Sequence, residues 1–385
     1  MTIPVDATAA LLADLVRVES VNPAFSRGAS DESALARLVA DRLEALGLQV
    51  ERREPEPGRV SVLATLAGAG GGSSLMLYAH LDTVGVAGMA DPFEPVVREG
   101  RLYGRGAYDM KGGLTACMMA VQALVERGAP LAGDVLLAAV ADEEVASLGI
   151  TDVLTAVVPD AAIVTEPTEL EICLAHKGFA WIEVTTRGRA AHGSRFEEGV
   201  DANLRMGRFL ARLEALEREL RARPPHPLVG PPSLHAAVLE GGTGPSTYAE
   251  RCRLTVERRT VPGESAEAAL GEIRALIEEL RREDPTFEAE AVTTLARGPF
   301  EADPRSRVAR SIERAATLAL GSPPRPAGRP YWMDAALLGV AGVDTVVIGP
   351  AGAGAHAAEE WVELASVARL AGILARAATD FCGTA

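Results

Sequence analysis

Apolar positions Leu11, Leu12, Leu15, Val16 and Val18 recur at helical spacing and predict a helix over residues 6–19, stopped by Asn22-Pro23. A second amphipathic helix is expected over 30–46, ending at Gly47. Short apolar runs follow at 60–66, 75–79, 135–140 and 161–164, with a helical stretch at 114–126 among them. Strands alternating with helices predict an α/β unit with a mostly parallel sheet.

The pattern changes near His176. Strand patterns at 180–186, 234–239, 253–259 and 287–293 enclose helices at 202–221 and 264–282. The order β-α-β-β-α-β is that of a ferredoxin-like α+β domain. It is an insertion, because helices at 306–320 and 333–339, a strand at 345–348 and a closing helix at 364–381 resume the first character. The expected division is 1–176 and 296–385 for the discontinuous first domain and 177–295 for the inserted one. The Pro-rich stretches 223–232 and 322–330 are expected to be loops.

Composition narrows the partners. The net charge of −15 argues against nucleic acid and against an anionic membrane, both of which need basic surfaces. No apolar run approaches the roughly 20 residues needed to span a bilayer, and no signal-peptide pattern is seen at the N-terminus. Cys117, Cys173, Cys252 and Cys382 form no CxxC pair and lie in or beside apolar runs, as expected of buried thiols in a reducing cytoplasm.

Five clusters carry chemistry, each at the end of an expected strand or beginning from one. In open α/β sheets, ligands bind at the carboxyl ends of strands. His80-Leu81-Asp82 follows Leu77-Tyr78-Ala79, and imidazole beside carboxylate suits a metal ligand and its orienter. The Gly-rich run from Tyr103 to Gly113 can bring Asp109 close to an ion, and it lacks the spacing of a phosphate loop. Asp142-Glu143-Glu144 follows a strand; in extended chain, neighbours face opposite ways, so one acid can face a metal and the next a water. Glu166 follows Ile163-Val164-Thr165, and a small-residue loop leads from Gly349-Pro350 to His356 and Glu359-Glu360. Taken singly, each is as easily a polar residue at a strand end or a solvated acidic loop. There is no GxSxG elbow and no dinucleotide fingerprint following a strand.

Together these stretches resemble the M20 metallopeptidase family, which includes acetylornithine deacetylase, succinyl-diaminopimelate desuccinylase, aminoacylase and glutamate carboxypeptidase. The matching stretches, YAHLD, YGRGAYDMKGG, ADEE, TEPT, GRAAHGS, RRTVPGE and GPAGAGAH, occur in the family's order across nearly the whole chain. The resemblance implies a zinc-peptidase-like catalytic domain whose inserted domain is a lid and dimerisation domain, in a homodimer.

It also implies roles. His80, Asp109 and Glu166 would bind one zinc ion, and Asp109, Glu144 and His356 a second, with Asp109 bridging; cobalt or manganese are alternatives. Asp82 would orient His80, and Glu143 would be the general base. His192 would reach a neighbouring subunit's active site and stabilise the oxyanion. Arg259 would hold the substrate carboxylate, with Arg258 beside it leaving the choice open. Ser246 stands where many members carry an Asn that helps bind substrate or oxyanion, a departure that bears on the substrate. His176, His226 and His235 match no motif and are read as structural, and Trp332-Met333-Asp334 is expected to line the pocket. The implied reaction is hydrolysis of an N-acyl amino acid, with a dipeptidase or carboxypeptidase as the alternative and a non-catalytic binding protein as the third.

Overall fold

The computed structural model describes residues 2–26, 28, 30–128 and 130–384. The chain forms two compact units, one of Met1–Leu174, Ala302–Ala327 and Met333–Ala385, the other of Ala175–Glu301 and Gly328–Trp332.

The first unit is built on a mixed sheet. Its strands lie in the order Gln49–Arg53, Ser61–Leu66, Val135–Val140, Leu75–His80, Ala161–Val164, Asp344–Val347 and Ile172–His176. The centre is parallel: Leu75–His80 runs parallel to Val135–Val140 and to Ala161–Val164, which is parallel to Asp344–Val347. The outer pairings are antiparallel. Every residue of Leu75–His80, Val135–Val140 and Ala161–Val164 is buried. That is why these strands read as unbroken apolar runs and not as alternation. Helices Val5–Arg17, Lys111–Arg127, Arg307–Leu320 and Leu364–Cys382 pack on one another, and Lys111–Arg127 and Leu364–Cys382 lie on the central strand. The parallel centre brings the carboxyl ends of four strands to one edge of the sheet.

The second unit has the order strand Gly178–Arg187, helix Ala202–Ala222, strands Ser233–Gly241 and Arg251–Thr260, helix Ala266–Glu283, strand Ala289–Arg297. The antiparallel sheet runs Ser233–Gly241, Arg251–Thr260, Gly178–Arg187, Ala289–Arg297. Asp201 and Ser265 cap the two helices with their side chains, accepting from backbone N–H groups of the first turn. In Arg251–Thr260, Cys252, Leu254, Val256, Arg258 and Thr260 are buried, and Cys252, Leu254 and Val256 belong to the core formed with both helices. The odd-numbered residues between them face the other way.

The structure departs from the sequence expectation in detail. The stretch 322–330, expected as loop, contains the short strand Pro326–Arg329, whose Arg329 carbonyl accepts from the Lys177 N–H at 3.1 Å. The strands Gln49–Arg53 and Ile172–His176 were not anticipated. The first is largely exposed, and the second is a short run with no alternation to mark it.

Candidate metal centre

Five side chains converge at the carboxyl edge of the parallel strands. His80 ends the central strand, Glu144 follows Val135–Val140, Glu166 follows Ala161–Val164, and His356 lies in the loop after Asp344–Val347. Asp109 comes from the Gly-rich loop that precedes helix Lys111–Arg127. Its two oxygens divide between the imidazoles: Oδ1 is 3.3 Å from His80 Nε2, and Oδ2 is 3.3 Å from His356 Nε2. Glu166 Oε1 lies 3.6 Å from His80 Nε2, and Glu144 Oε1 lies 3.2 Å from His356 Nε2. Among the described residues, two clusters have donor atoms mutually within 4.8 Å. One is His80, Asp109 and Glu166, and the other is Asp109, Glu144 and His356.

The charge balance of this pocket calls for cations. Glu166 Oε1 is buried without a hydrogen-bond partner. Burial, reinforced by the neighbouring carboxylates, raises the carboxyls of Glu143 and Glu166 well above the usual range, and burial raises Glu144 as well. His356 is drawn up to about 10 by its hydrogen bonds to Asp109 and Glu144. Burial opposes ionisation of Asp109, but the hydrogen bonds from His356 and His80 outweigh it and hold its carboxyl below the ordinary range. Protons drawn onto the imidazoles are one way to offset clustered carboxylates. A divalent cation between imidazole nitrogen and carboxylate oxygen is another, and this donor set suits zinc.

The candidate ligands are held from behind. Glu360, buried, accepts from the N–H of Asp109 at 3.0 Å, of Tyr108 at 2.9 Å and of Gly106 at 3.0 Å. Arg105, also buried, pairs with Glu360 at 2.6 Å and donates to the Ala357 carbonyl at 3.0 Å. One ion pair therefore ties the loop carrying Asp109 to the loop carrying His356, where His356 itself adopts a left-handed φ of 62°.

Asp82 meets His80 and also holds the turn that carries Glu143 and Glu144. The nearest partner of His80 Nδ1 is the Asp82 carbonyl, at 2.8 Å, with the carboxylate at 3.6 Å. That carboxylate also accepts from the N–H groups of Glu143 at 3.1 Å and Glu144 at 3.2 Å and from Asn22 Nδ2 at 2.9 Å. It fixes the Glu143-Glu144 segment, which is a turn and not the extended chain expected, entered through Asp142 at φ 67°. Asn22 also donates to Asp142 at 2.9 Å, and Arg59 reaches Asn22 Oδ1 at 2.7 Å and Glu32 at 2.6 Å. Across the strand, Tyr78 donates to Asp334 at 2.5 Å. Sequence reasoning gave no role to Asn22, Arg59 or Arg105, and named Glu360 in a cluster without a role. The available signals were polar residues inside already notable stretches: Asn22 in the helix stop, Arg105 between glycines, and Glu360 beside Glu359.

The remaining candidates belong to the second unit. His192 is exposed, its Nδ1 2.8 Å from Ser194 Oγ, on a loop that pairs with the loop of Ser246 through Gly193 N–H to the Ser246 carbonyl at 2.7 Å. Arg258 and Arg259 are separated by the pleat. Arg258 turns into the helix side, bonded to both oxygens of Glu264 at 2.9 and 3.1 Å and to Glu272 at 3.0 Å. Arg259 turns to the open face, over the Phe179 ring at 5.5 Å and 2.8 Å from Glu257.

The family model for peptidase family M20/M25/M40 matches residues 76–380. The chain belongs to this family. An acetylornithine deacetylase of Myxococcus xanthus is 32% identical over 89% of this chain and 90% of its own length. An N-formyl-4-amino-5-aminomethyl-2-methylpyrimidine deformylase of Bacillus subtilis is 29% identical over 64% of this chain and 62% of its own. Among solved structures, the aminopeptidase PepT of Bacillus cereus superposes with a TM-score of 0.81 at 18% identity, covering 99% of this chain and all of that one. A dinuclear metal-binding M20 peptidase of Bacillus subtilis superposes with a TM-score of 0.76 at 16% identity, with 97% of each chain covered. The chain is therefore a metallohydrolase of amide or peptide bonds. No helix among the described residues is long and apolar enough to cross a membrane.

Proposed function

We propose that the chain hydrolyses the amide bond of N-acyl amino acids with two divalent metal ions, zinc or alternatively cobalt or manganese. The observation that carries this reading is Asp109, whose two oxygens each face one imidazole at 3.3 Å within two overlapping ligand sets. His80, Asp109 and Glu166 would hold one ion, and Asp109, Glu144 and His356 the other. When bound, such a pair acidifies a shared water and polarises the scissile carbonyl.

The chain's own groups do the rest. Glu143 sits on the Asp82-held turn beside Glu144 and, among the described residues, belongs to neither ligand set, which supports reading it as the group that takes the water's proton. It then delivers that proton to the departing amine, a general-base contribution of about 10²–10⁴-fold. Arg259, and not Arg258, offers a guanidinium for the substrate carboxylate, since Arg258 is committed to Glu264 and Glu272. His192, exposed on its loop, would donate to the oxyanion of a neighbouring subunit in a homodimer formed through the inserted unit, with Ser246 nearby for the substrate. Mixing His192→Ala with Glu143→Ala chains should then restore activity, and exchange without restoration contradicts the trans role. The thiols suit a cytoplasmic enzyme, since Cys117, Cys173, Cys252 and Cys382 are all free and buried.

The deacetylase named among the relatives supports the acyl amino acid reading. The second reading, a dipeptidase or carboxypeptidase, is favoured by the structural neighbours, which include human carnosine dipeptidase 1 and a metallo-carboxypeptidase of Sulfolobus solfataricus. A panel of N-acetyl amino acids and dipeptides, assayed with metal-loaded protein, separates them. We expect turnover of the acyl amino acids to exceed that of dipeptides, and the reverse order would replace the first reading by the second.

A further inference from the structure

Several buried groups behind the candidate metal centre meet at one side chain. Asn22 follows helix Val5–Arg17, and its backbone is fixed against the segment after the central strand. Its N–H donates to the Thr83 carbonyl at 2.9 Å, and the Thr83 N–H donates to the Ser20 carbonyl at 2.9 Å. The side chain is fully buried. Its Oδ1 accepts from Arg59 at 2.7 Å and from the Ala24 N–H at 3.1 Å, and its Nδ2 donates to Asp82 Oδ2 and to Asp142 Oδ1, each at 2.9 Å. A carboxamide has two lone pairs and two N–H groups, so all four positions are used. A guanidinium and a backbone N–H can only donate, so the amide oxygen must face them and the nitrogen must face the two carboxylates.

Those two carboxylates bracket Glu143. Asp82 accepts from the Glu143 N–H through Oδ1 at 3.1 Å and from the Glu144 N–H through Oδ2 at 3.2 Å, the oxygen that Asn22 also reaches. Asp142 enters the turn at φ 67°, and its carbonyl accepts from the N–H groups of Ala146 at 3.1 Å and Ser147 at 2.6 Å. One amide thus ties the residue before Glu143 to the carboxylate that holds the Glu143 backbone.

Charge makes the choice of an amide matter. Glu32, Asp82 and Asp142 are all buried, with Arg59 2.6 Å from Glu32 and 3.1 Å from Asp142, and His80 Nδ1 3.6 Å from Asp82. Burial, and then the charge of Asp82, pushes Glu32 up to about 7. An acid at position 22 would keep the shape of the amide, but it would add a fourth carboxylate and supply neither donor.

We infer that Asn22 is a positioning residue for the general base: its amide, aimed by Arg59, locks the turn that presents Glu143. The inference rests on the reading of Glu143 as that base, and it lies wholly within the first unit.

Kinetics of folded, zinc-loaded variants test it, with whichever N-acetyl amino acid or dipeptide the wild type turns over fastest. Asn22→Asp should keep two ions and the wild-type KM while kcat falls about 10–100-fold, the usual range for a group that holds a catalytic or ligating residue from behind. Asn22→Ser keeps one donor and adds no charge, so its kcat should fall less, and it carries the test should Asn22→Asp not fold. A packing role would order the two the other way, because serine leaves a void and aspartate does not. Wild-type kcat in folded Asn22→Asp, or in Asn22→Ser where only that variant folds, would overturn the inference. So would a loss confined to KM or to metal content, or a greater loss in Asn22→Ser. Glu143→Ala, measured alongside, separates the inference from the reading beneath it. If Glu143→Ala loses its kcat while Asn22→Asp keeps it, the inference alone fails. If Glu143→Ala keeps its kcat, the general-base reading fails and takes the inference with it.

Discussion

At the carboxyl edge of the parallel strands, the candidate ligands are acids and imidazoles anchored from behind. Glu360 holds the backbone at Asp109, Arg105 holds the loop beside His356, and Asp82 holds the turn of Glu143 and Glu144. On the open face of the inserted sheet, Arg259 and Arg297 rest on aromatic rings, and His192 stands exposed on a loop tip. The first region is preorganised and rich in carboxylates, the second presents long side chains on an open face. Hydrolysis by an ion pair needs donor atoms fixed before the ions arrive, whereas gripping substrates of differing shape favours long side chains that can move. Substitutions should therefore act differently in the two regions: on metal and chemistry in the first, on KM and selectivity in the second.

The largest effect after outright loss of the ions is expected at Glu143. Glu143→Ala should retain two ions by elemental analysis while kcat falls about 10²–10⁴-fold. If this variant loses metal while Glu144→Ala keeps it, the two neighbours have exchanged roles. Glu360→Gln comes next. It keeps the shape but removes the charge that gathers the Asp109 loop and Arg105, so metal affinity measured by chelator competition should fall about 10–100-fold. Unchanged affinity would mean that the loop holds Asp109 without it.

The smallest contrast separates the two arginines. Arg258→Met removes one partner of Glu264 and Glu272, which are partly exposed and keep Arg223 at 3.5 and 2.7 Å, so the loss of stability should be about 2 kcal/mol, below the full cost of breaking a buried pair. Arg259→Met should shift stability by no more than about 0.5 kcal/mol and raise KM instead. Equal destabilisation by both would erase the distinction drawn between the faces of that strand.

How much of this was legible in the sequence follows from the same contrast. His80, Glu144 and Glu166 stood out because the ends of strands announce themselves: an unbroken apolar run stops, and a ligand type follows; Asp109 and His356 stood out within loops of glycine and small residues. The strand order that brings the five together was not readable, since it depends on pairings between segments far apart in the chain. Asp82 was noticed beside His80, which it does meet, but spacing cannot show that its carboxylate also holds the Glu143 and Glu144 N–H groups. Arg258 and Arg259 could have been told apart, as Cys252, Leu254 and Val256 set an inward alternation that Arg258 continues.

Metal stoichiometry of Asp109→Ala tests the central claim most directly. Chelated wild-type protein, titrated with zinc and followed by calorimetry, should take up two ions per chain. Because Asp109 offers one oxygen to each ligand set, the variant should bind neither ion tightly, and activity should fall to background. Two tightly held ions in Asp109→Ala, or a single ion in the wild type at full activity, would contradict the shared-carboxylate centre on which this account rests.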